Sequence, residues 1–153
     1  MVNVKNKTEM EKRIQIDRLE PGAYKIMLAF EKYLLQTELT KTHRNLIYLR
    51  ASQINGCAFC INMHTKEALK NNETQQRIFL LSAWRETDLF TEEEQTLLEI
   101  TEEVTLIHHR GLSSQTYEKA TAHFGENYLA QIIMAIVTIN AWNRIAVSTH
   151  KPF

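Results

Sequence analysis

The sequence predicts an all-α protein of about seven helices, and three observations carry that prediction. Apolar residues recur at helical spacing in stretch after stretch, and no segment shows the two-residue alternation of a half-buried strand. Only four glycines and two prolines occur in 153 residues, which favours long helices with short connections. Start and stop signals separate the stretches: a capping box at Thr91-Glu92-Glu93-Glu94, and breaks at Gly56, Gly111 and Gly125. The length suits one domain spanning residues 1–153, large enough to bury a core.

Residues 1–18 are polar and charged, with Val2, Val4, Ile14 and Ile16 scattered among them. Residues 1–20 therefore read as an N-terminal arm or extended lead-in. Pro21-Gly22 opens the first helix, whose Ala23, Ile26, Met27, Phe30 and Leu34 share a face widened by Tyr33 and Leu35. It is expected to end near Glu38 or Leu39. Thr40 or Thr42 caps a second helix running to about Asn55, with Leu46, Ile47, Leu49, Ala51 and Ile54 apolar. A third runs from Cys57 to about Lys70. Its Ala58, Ile61, Ala68 and Leu69 can pack, while Lys66, Glu67 and Lys70 read as solvated, and Asn71-Asn72 ends it.

Thr74 to Glu86 reads as one shorter helix, with Ile78, Leu80, Leu81 and Trp84 apolar. The capping box starts a helix carrying Leu97, Leu98, Ile100, Val104 and Ile107, stopped by Gly111. Ser113 or Ser114 caps a short helix to about His123, closed by Gly125. The last helix, from about Asn127 to Thr149, is the most hydrophobic (Leu129, Ile132, Ile133, Ile136, Val137, Ile139, Ile145) and is expected to be central or at an interface.

The formal net charge is zero, with both signs interspersed, which gives no reason to expect nucleic acid or an anionic membrane as partner. The same neutrality leaves little repulsion against a homo-oligomer, whether dimer, trimer or hexamer. The apolar run 132–139 is too short to span a bilayer, and no signal peptide opens the sequence. A cytoplasmic location is expected, where a lone C-x-x-C is more often catalytic or metal-binding than a structural staple.

The chemistry is concentrated at Cys57-Ala58-Phe59-Cys60-Ile61-Asn62-Met63-His64, which holds both cysteines and a histidine four residues after the second. On a helix, positions 57, 60 and 64 share one face, and Cys60 and His64 lie one turn apart. Such a dithiol can close to a disulfide, and His64 can take a proton from Cys60 or lower its pKa as imidazolium. The helix start also favours a thiolate at Cys57. Zinc is the other chemistry that cysteine and histidine suggest, but only three candidate ligands are local. The remaining histidines, 43, 108, 109, 123 and 150, read as solvated or locally capping. Gln53, Asn55 and the run Asn140-Ala141-Trp142-Asn143-Arg144 place polar groups in apolar helices, either as buried interhelical hydrogen bonds or as pocket lining.

The stretch from Leu49-Arg50-Ala51-Ser52-Gln53-Ile54-Asn55-Gly56 through Cys57, Cys60 and His64 resembles the core of the AhpD-like alkylhydroperoxidases, in the carboxymuconolactone decarboxylase family. Ala83-Trp84-Arg85-Glu86-Thr87 and Ile139-Asn140-Ala141-Trp142-Asn143-Arg144 extend the likeness over most of the chain. The resemblance implies an AhpD-like helical fold and a thiol-dependent, cofactor-free reduction of organic hydroperoxides. Cys60 would be the peroxidatic cysteine, Cys57 the resolving one and His64 the proton-transfer group. An external dithiol, a protein or a small molecule, would restore the pair. One departure stands out: the family's glutamate twelve residues before the first cysteine is here Asn45, an amide that cannot take a proton at neutral pH. Tyr48, one turn on, is a supporting hydrogen-bond donor. Glu67, i+3 from His64, reads as exposed. Two other outcomes stay open: a redox-sensing or structural oligomeric module without turnover, and a decarboxylase or isomerase acting on a small lactone.

Overall fold

Short hydroxyl side chains start most of the helices. In the computed structural model, which describes residues 13–152, Thr40, Thr74, Thr91 and Ser113 each accept a hydrogen bond from the first turn of the helix that follows. Each fills one of the backbone donors a helix start leaves unpaired. The capping box is complete, with the Glu94 carboxylate also accepting from Thr91 N–H at 2.9 Å. Seven α-helices result among the described residues, with no strand: α1 Ile16–Leu19, α2 Pro21–Leu34, α3 Lys41–Ile54, α4 Ala58–Lys70, α5 Gln75–Leu80, α6 Glu92–Thr105 and α7 Ser114–Ser148. Gly125, at φ 72° and ψ 165°, interrupts α7, dividing a short helix from a long one at the expected break.

Four boundaries differ from expectation, one of them at α6, which ends at Thr105 instead of running to Gly111 and leaves Ile107 exposed in a separate 3₁₀ turn, Ile107–His109. The lead-in contains the single helical turn α1, while Val2 and Val4 lie outside the described residues. α2 stops at Leu34, where Gln36 N–H and the Thr37 hydroxyl donate to Tyr33 and Leu34 carbonyls and turn the chain. The helix expected from Thr74 to Glu86 continues as a 3₁₀ segment, Leu81–Glu86, broken at Ala83. The break accompanies the burial of Trp84, whose indole N–H donates to Glu102 at 2.9 Å while Arg85 stacks on its ring.

α3 is the hub. It packs against α4, α6 and α7, and its residues from His43 to Leu49 are buried all round its circumference. Leu46, Ile47 and Leu49 join Leu97, Leu98 and Ile100 of α6 and Ile132, Ile136 and Ile139 of α7 in one core. Truncating any of them to alanine costs about 2–5 kcal/mol. α7 is long and apolar enough, by length and composition alone, to cross a membrane. Its polar residues are tied into the protein: Asn55 Nδ2 donates to Asn140 Oδ1 at 3.0 Å and Asn143 Oδ1 at 2.9 Å, and Asn143 Nδ2 donates to Ser52 Oγ at 3.0 Å. These are the buried interhelical hydrogen bonds that the sequence offered as one reading.

α2 keeps the inner part of its expected face, with Leu34 buried and Phe30 packed on the core, but leaves its Ile26 edge outside. Ile26 is 72 % exposed, and Leu34 is the only fully buried residue of the helix. Tyr24, Leu28, Glu31 and Leu35, at i, i+4, i+7 and i+11, line a cavity, with Leu28 and Leu35 remaining exposed.

His43 also departs from expectation, since it is buried. Tyr128 O–H accepts from Thr40 N–H at 3.1 Å and lies 2.8 Å from His43 Nδ1, with Glu93 3.6 Å from Nε2 and Phe124 edge-on to the ring. Burial lowers its pKa from the ordinary 6.5, against the opposing pull of Glu93 and Glu94. The unfolded chain therefore takes up this proton first. The stabilisation is complete above the unfolded value and is lost as pH falls from there to the lower folded one. The thermal midpoint should drop as pH falls below the ordinary imidazole value of 6.5, and His43→Gln should flatten that slope. An unchanged slope in the variant would assign the dependence to other groups.

Candidate active site

The cysteine pair is placed by the end of one helix and the start of the next. Gly56 takes a left-handed φ of 63°, with Gly56 N–H bonded to Gln53 C=O and Cys57 N–H to Ser52 C=O. This Schellman arrangement closes α3 and delivers Cys57 directly as the N-cap of α4. A Cβ on Gly56 would meet no atom within 4 Å, so the backbone angle alone calls for glycine. Cys57 is thus the cap rather than a residue of the first turn, and its Sγ accepts from Cys60 N–H at 3.3 Å. The two cysteines form a disulfide with their Cα atoms 5.3 Å apart. Both are buried, yet they differ in surroundings: Cys60 lines the cavity and Cys57 does not.

That cavity, about 300 Å³, lies between α2, α3, α4 and the end of α7. α4 contributes Phe59, Cys60, Met63, His64 and Glu67, a stripe at helical spacing. α3 adds Arg44 and Tyr48, and α7 adds Trp142, Ile145 and Ala146, with Lys151 just beyond its end. Trp142 meets the Tyr24 ring edge-on at 5.2 Å.

His64 is oriented from two sides. Its Nδ1 lies 3.4 Å from Glu67 Oε2, and the Tyr48 ring packs edge-on with centroids 4.9 Å apart. The tautomer that donates Nδ1–H to Glu67 leaves Nε2 as the proton acceptor. Glu67 also faces Arg44 Nη2 at 3.6 Å. The hydrogen bond to His64 first, with the charges of His64 and Arg44, lowers the Glu67 pKa against its burial, so the group is a carboxylate at neutral pH. Glu67 is half-buried and partnered, not simply solvated. Tyr48 O–H donates to Glu31 Oε2 at 2.9 Å. Burial, then the Glu31 charge and hydrogen bond, push its phenol far above the ordinary range, so Tyr48 donates and does not act as a base.

The other expected supporting residues stand elsewhere. Gln53 Oε1 accepts from Arg50 at 3.3 Å, beside the Arg50–Glu102 pair at 2.8 Å, and does not line the cavity. Asn45 is buried and outside the lining set, on the flank of the Arg44–Tyr48 stripe. A carboxylate there would gain charge near the site but lose hydration. Asn45→Glu is expected to raise the reactivity of the reduced Cys60 thiol less than about tenfold and to lower the thermal midpoint. Measuring both on the same preparation checks it, and unchanged reactivity in a folded variant would remove this position from the chemistry.

Glu31, Arg44 and Lys151 are cavity residues that the sequence reading missed. Glu31 had a signal, since it interrupts an apolar helix in register with Tyr24 and Leu28. Lys151 had none.

The sequence profile of the Carboxymuconolactone decarboxylase family matches residues 21–103, which contain the cysteine pair, His64 and three walls of the cavity. The chain belongs to that family. It is also similar to the uncharacterised protein YdfG of Bacillus subtilis strain 168, at 41% identity over 139 residues, covering 91% of this chain and 95% of that one. Among solved structures it resembles an Agrobacterium tumefaciens protein of unknown function, considered a candidate AhpD antioxidant-defence protein. The TM-score is 0.90 at 40% identity, covering 93% of this chain and 97% of the other. The all-α, AhpD-like fold expected from the motif is the one observed. Among the described residues, no cluster of three or more His, Cys, Asp or Glu side chains is arranged to hold a metal ion.

Proposed function

We propose that this family member is a thiol-dependent peroxidase that reduces organic hydroperoxides through the Cys57–Cys60 pair. The observation that carries the reading is the asymmetry of the pair: Cys60 lines the cavity with His64, and Cys57 does not. The Cys60 thiolate attacks the terminal peroxide oxygen, the O–O bond breaks, and the alkoxide leaves with a proton to become the alcohol. His64, in the same cavity, takes the thiol proton and returns it, with Glu67 and Tyr48 holding the ring. The Cys60 sulfenic acid then condenses with the Cys57 thiol, forming the disulfide and releasing water. An external dithiol, oxidised in turn, restores both thiols by exchange. The cycle draws on these side chains and that reductant and on no cofactor.

Peroxide reduction is favoured over lactone decarboxylation, because the latter has no step that consumes two thiols. The need for a dithiol reductant fits a reducing, cytoplasmic setting. Exposed Ile26, Leu28, Tyr33 and Leu35 on α2 support self-association into a homo-oligomer.

The test is thiol titration with intact-mass measurement, before and after one equivalent of cumene hydroperoxide is added to reduced protein. The expected result is loss of both thiols and a Cys57–Cys60 bond within one chain, followed by repeated turnover in excess dithiothreitol. Intact thiols would overturn the reading. A single stoichiometric reaction that does not recur in dithiothreitol would replace it with a redox sensor.

A further inference from the structure

Two carboxylates and two permanent cations line the cavity, Glu31, Glu67, Arg44 and Lys151. Glu31 accepts from Tyr48, and Glu67 faces both His64 and Arg44. Lys151 has no ion pair with a carboxylate among the described residues. Its ammonium group donates to the Tyr24 hydroxyl at 3.3 Å and stands over the Phe59 and Tyr24 rings, 5.0 and 5.6 Å from their centroids. Aromatic faces hold a cation in place without neutralising it.

The lysine is also fixed from its backbone. α7 ends with His150 at a left-handed φ of 49°, His150 N–H bonded to Val147 C=O and Lys151 N–H to Ala146 C=O at 3.0 Å. This is a second Schellman arrangement, and it brings Lys151 to the rim at a set position. Leu28, Trp142 and Ile145 give the same cavity apolar walls. A half-buried cation held by aromatic rings, in an apolar-walled cavity that also contains the Cys60 sulfur, fits a ligand with an apolar body and an anionic end.

We propose that the substrate of this site is a hydroperoxide that carries a carboxylate, and that Lys151 binds that carboxylate while the peroxide end reaches Cys60. The inference rests on the peroxidase reading for its reaction, but not for its binding. The cavity, about 300 Å³, is at the small end of ligand sites, so the apolar body is compact, on the scale of one substituted ring. Peroxide reduction proceeds with the same balance as above, and the carboxylate takes no part in it.

Two measurements on the full chain test this. In the first, the disulfide form is titrated calorimetrically with 4-(2-hydroxypropan-2-yl)benzoate and with its methyl ester, product-like probes that lack an O–O bond. The acid should bind about tenfold or more tightly than the ester, and Lys151→Met should abolish the difference while Lys151→Arg retains most of it. In the second, reduced protein is assayed with cumene hydroperoxide and its para-carboxylate. Lys151→Met should lower the ratio of their kcat/KM values, carboxylate over uncharged, about tenfold. Equal binding of acid and ester to the unsubstituted protein, or no binding of either, overturns the proposal. So does an equal loss on both peroxides in Lys151→Met, which would assign Lys151 to the Cys60 thiolate instead. A lysine-dependent preference for the acid without any peroxide turnover would uphold the carboxylate site and overturn the peroxidase reading alone.

Discussion

Cys60→Ser should abolish reaction with hydroperoxide, by at least about a thousandfold in the rate of thiol oxidation, whereas Cys57→Ser should react once and stop. The difference follows from where each sulfur lies. Cys60 opens onto the cavity beside His64, so a peroxide entering there meets its sulfur. Cys57 does not line the cavity, closes the start of α4 and accepts the Cys60 N–H, so it is reached through Cys60 rather than by substrate. Cys57→Ser is a mild change for the fold, because serine is among the preferred N-cap residues and can accept the same N–H. Without the resolving thiol, Cys60 should accumulate as a sulfenic acid or as a mixed disulfide with the reductant. Mass spectrometry after dimedone trapping reads both variants directly. The opposite pattern, with trapping at Cys57 in Cys60→Ser, would mean that the N-terminal field of α4 outweighs access, and the two roles would have to be exchanged.

The second large effect is expected at His64. Replacing it by glutamine removes the only cavity-lining imidazole, and with it a proton-transfer group of the kind that contributes about a hundredfold or more. The rate of Cys60 oxidation near neutral pH should fall by about that factor. Glu67→Gln should cost much less, about threefold to tenfold, because it leaves the imidazole in place and removes only a half-exposed partner at 3.4 Å. Stopped-flow measurement of thiol loss at several peroxide concentrations separates the chemical step from binding. If His64→Gln oxidised at the unsubstituted rate while remaining folded, the proton would have to come from water, and the alignment of His64 by Tyr48 and Glu67 would be structural.

The helical architecture was legible because its signals are local. The Thr91 capping box, the Gly125 break and the glycine stop before Cys57 each act within one turn of chain, through hydrogen bonds between residues a few positions apart. The Cys60–His64 register is local for the same reason, since a helix fixes which residues share a face. Where a second element decides the outcome, local reading failed. The run from Thr74 to Glu86 has helical spacing throughout, yet its second half tightens to 3₁₀ with Trp84 inserted against Glu102 of α6. His43 carries no mark of burial in the sequence, and Tyr128 and Phe124, from a distant helix, enclose it.

By itself, then, the sequence determined an all-α chain with a vicinal dithiol and a histidine one turn from the second cysteine. Spacing, caps and glycine breaks are properties of adjacent residues, and backbone geometry converts them into structure without outside help. Only the tertiary structure decided which sulfur meets the cavity, because that depends on how α2, α3, α4 and the end of α7 come together around it. It also brought Glu31 to Tyr48 across 17 positions and Lys151 to Tyr24 across 127. Contacts between residues so far apart depend on how helices pack, and no periodicity within one helix encodes them.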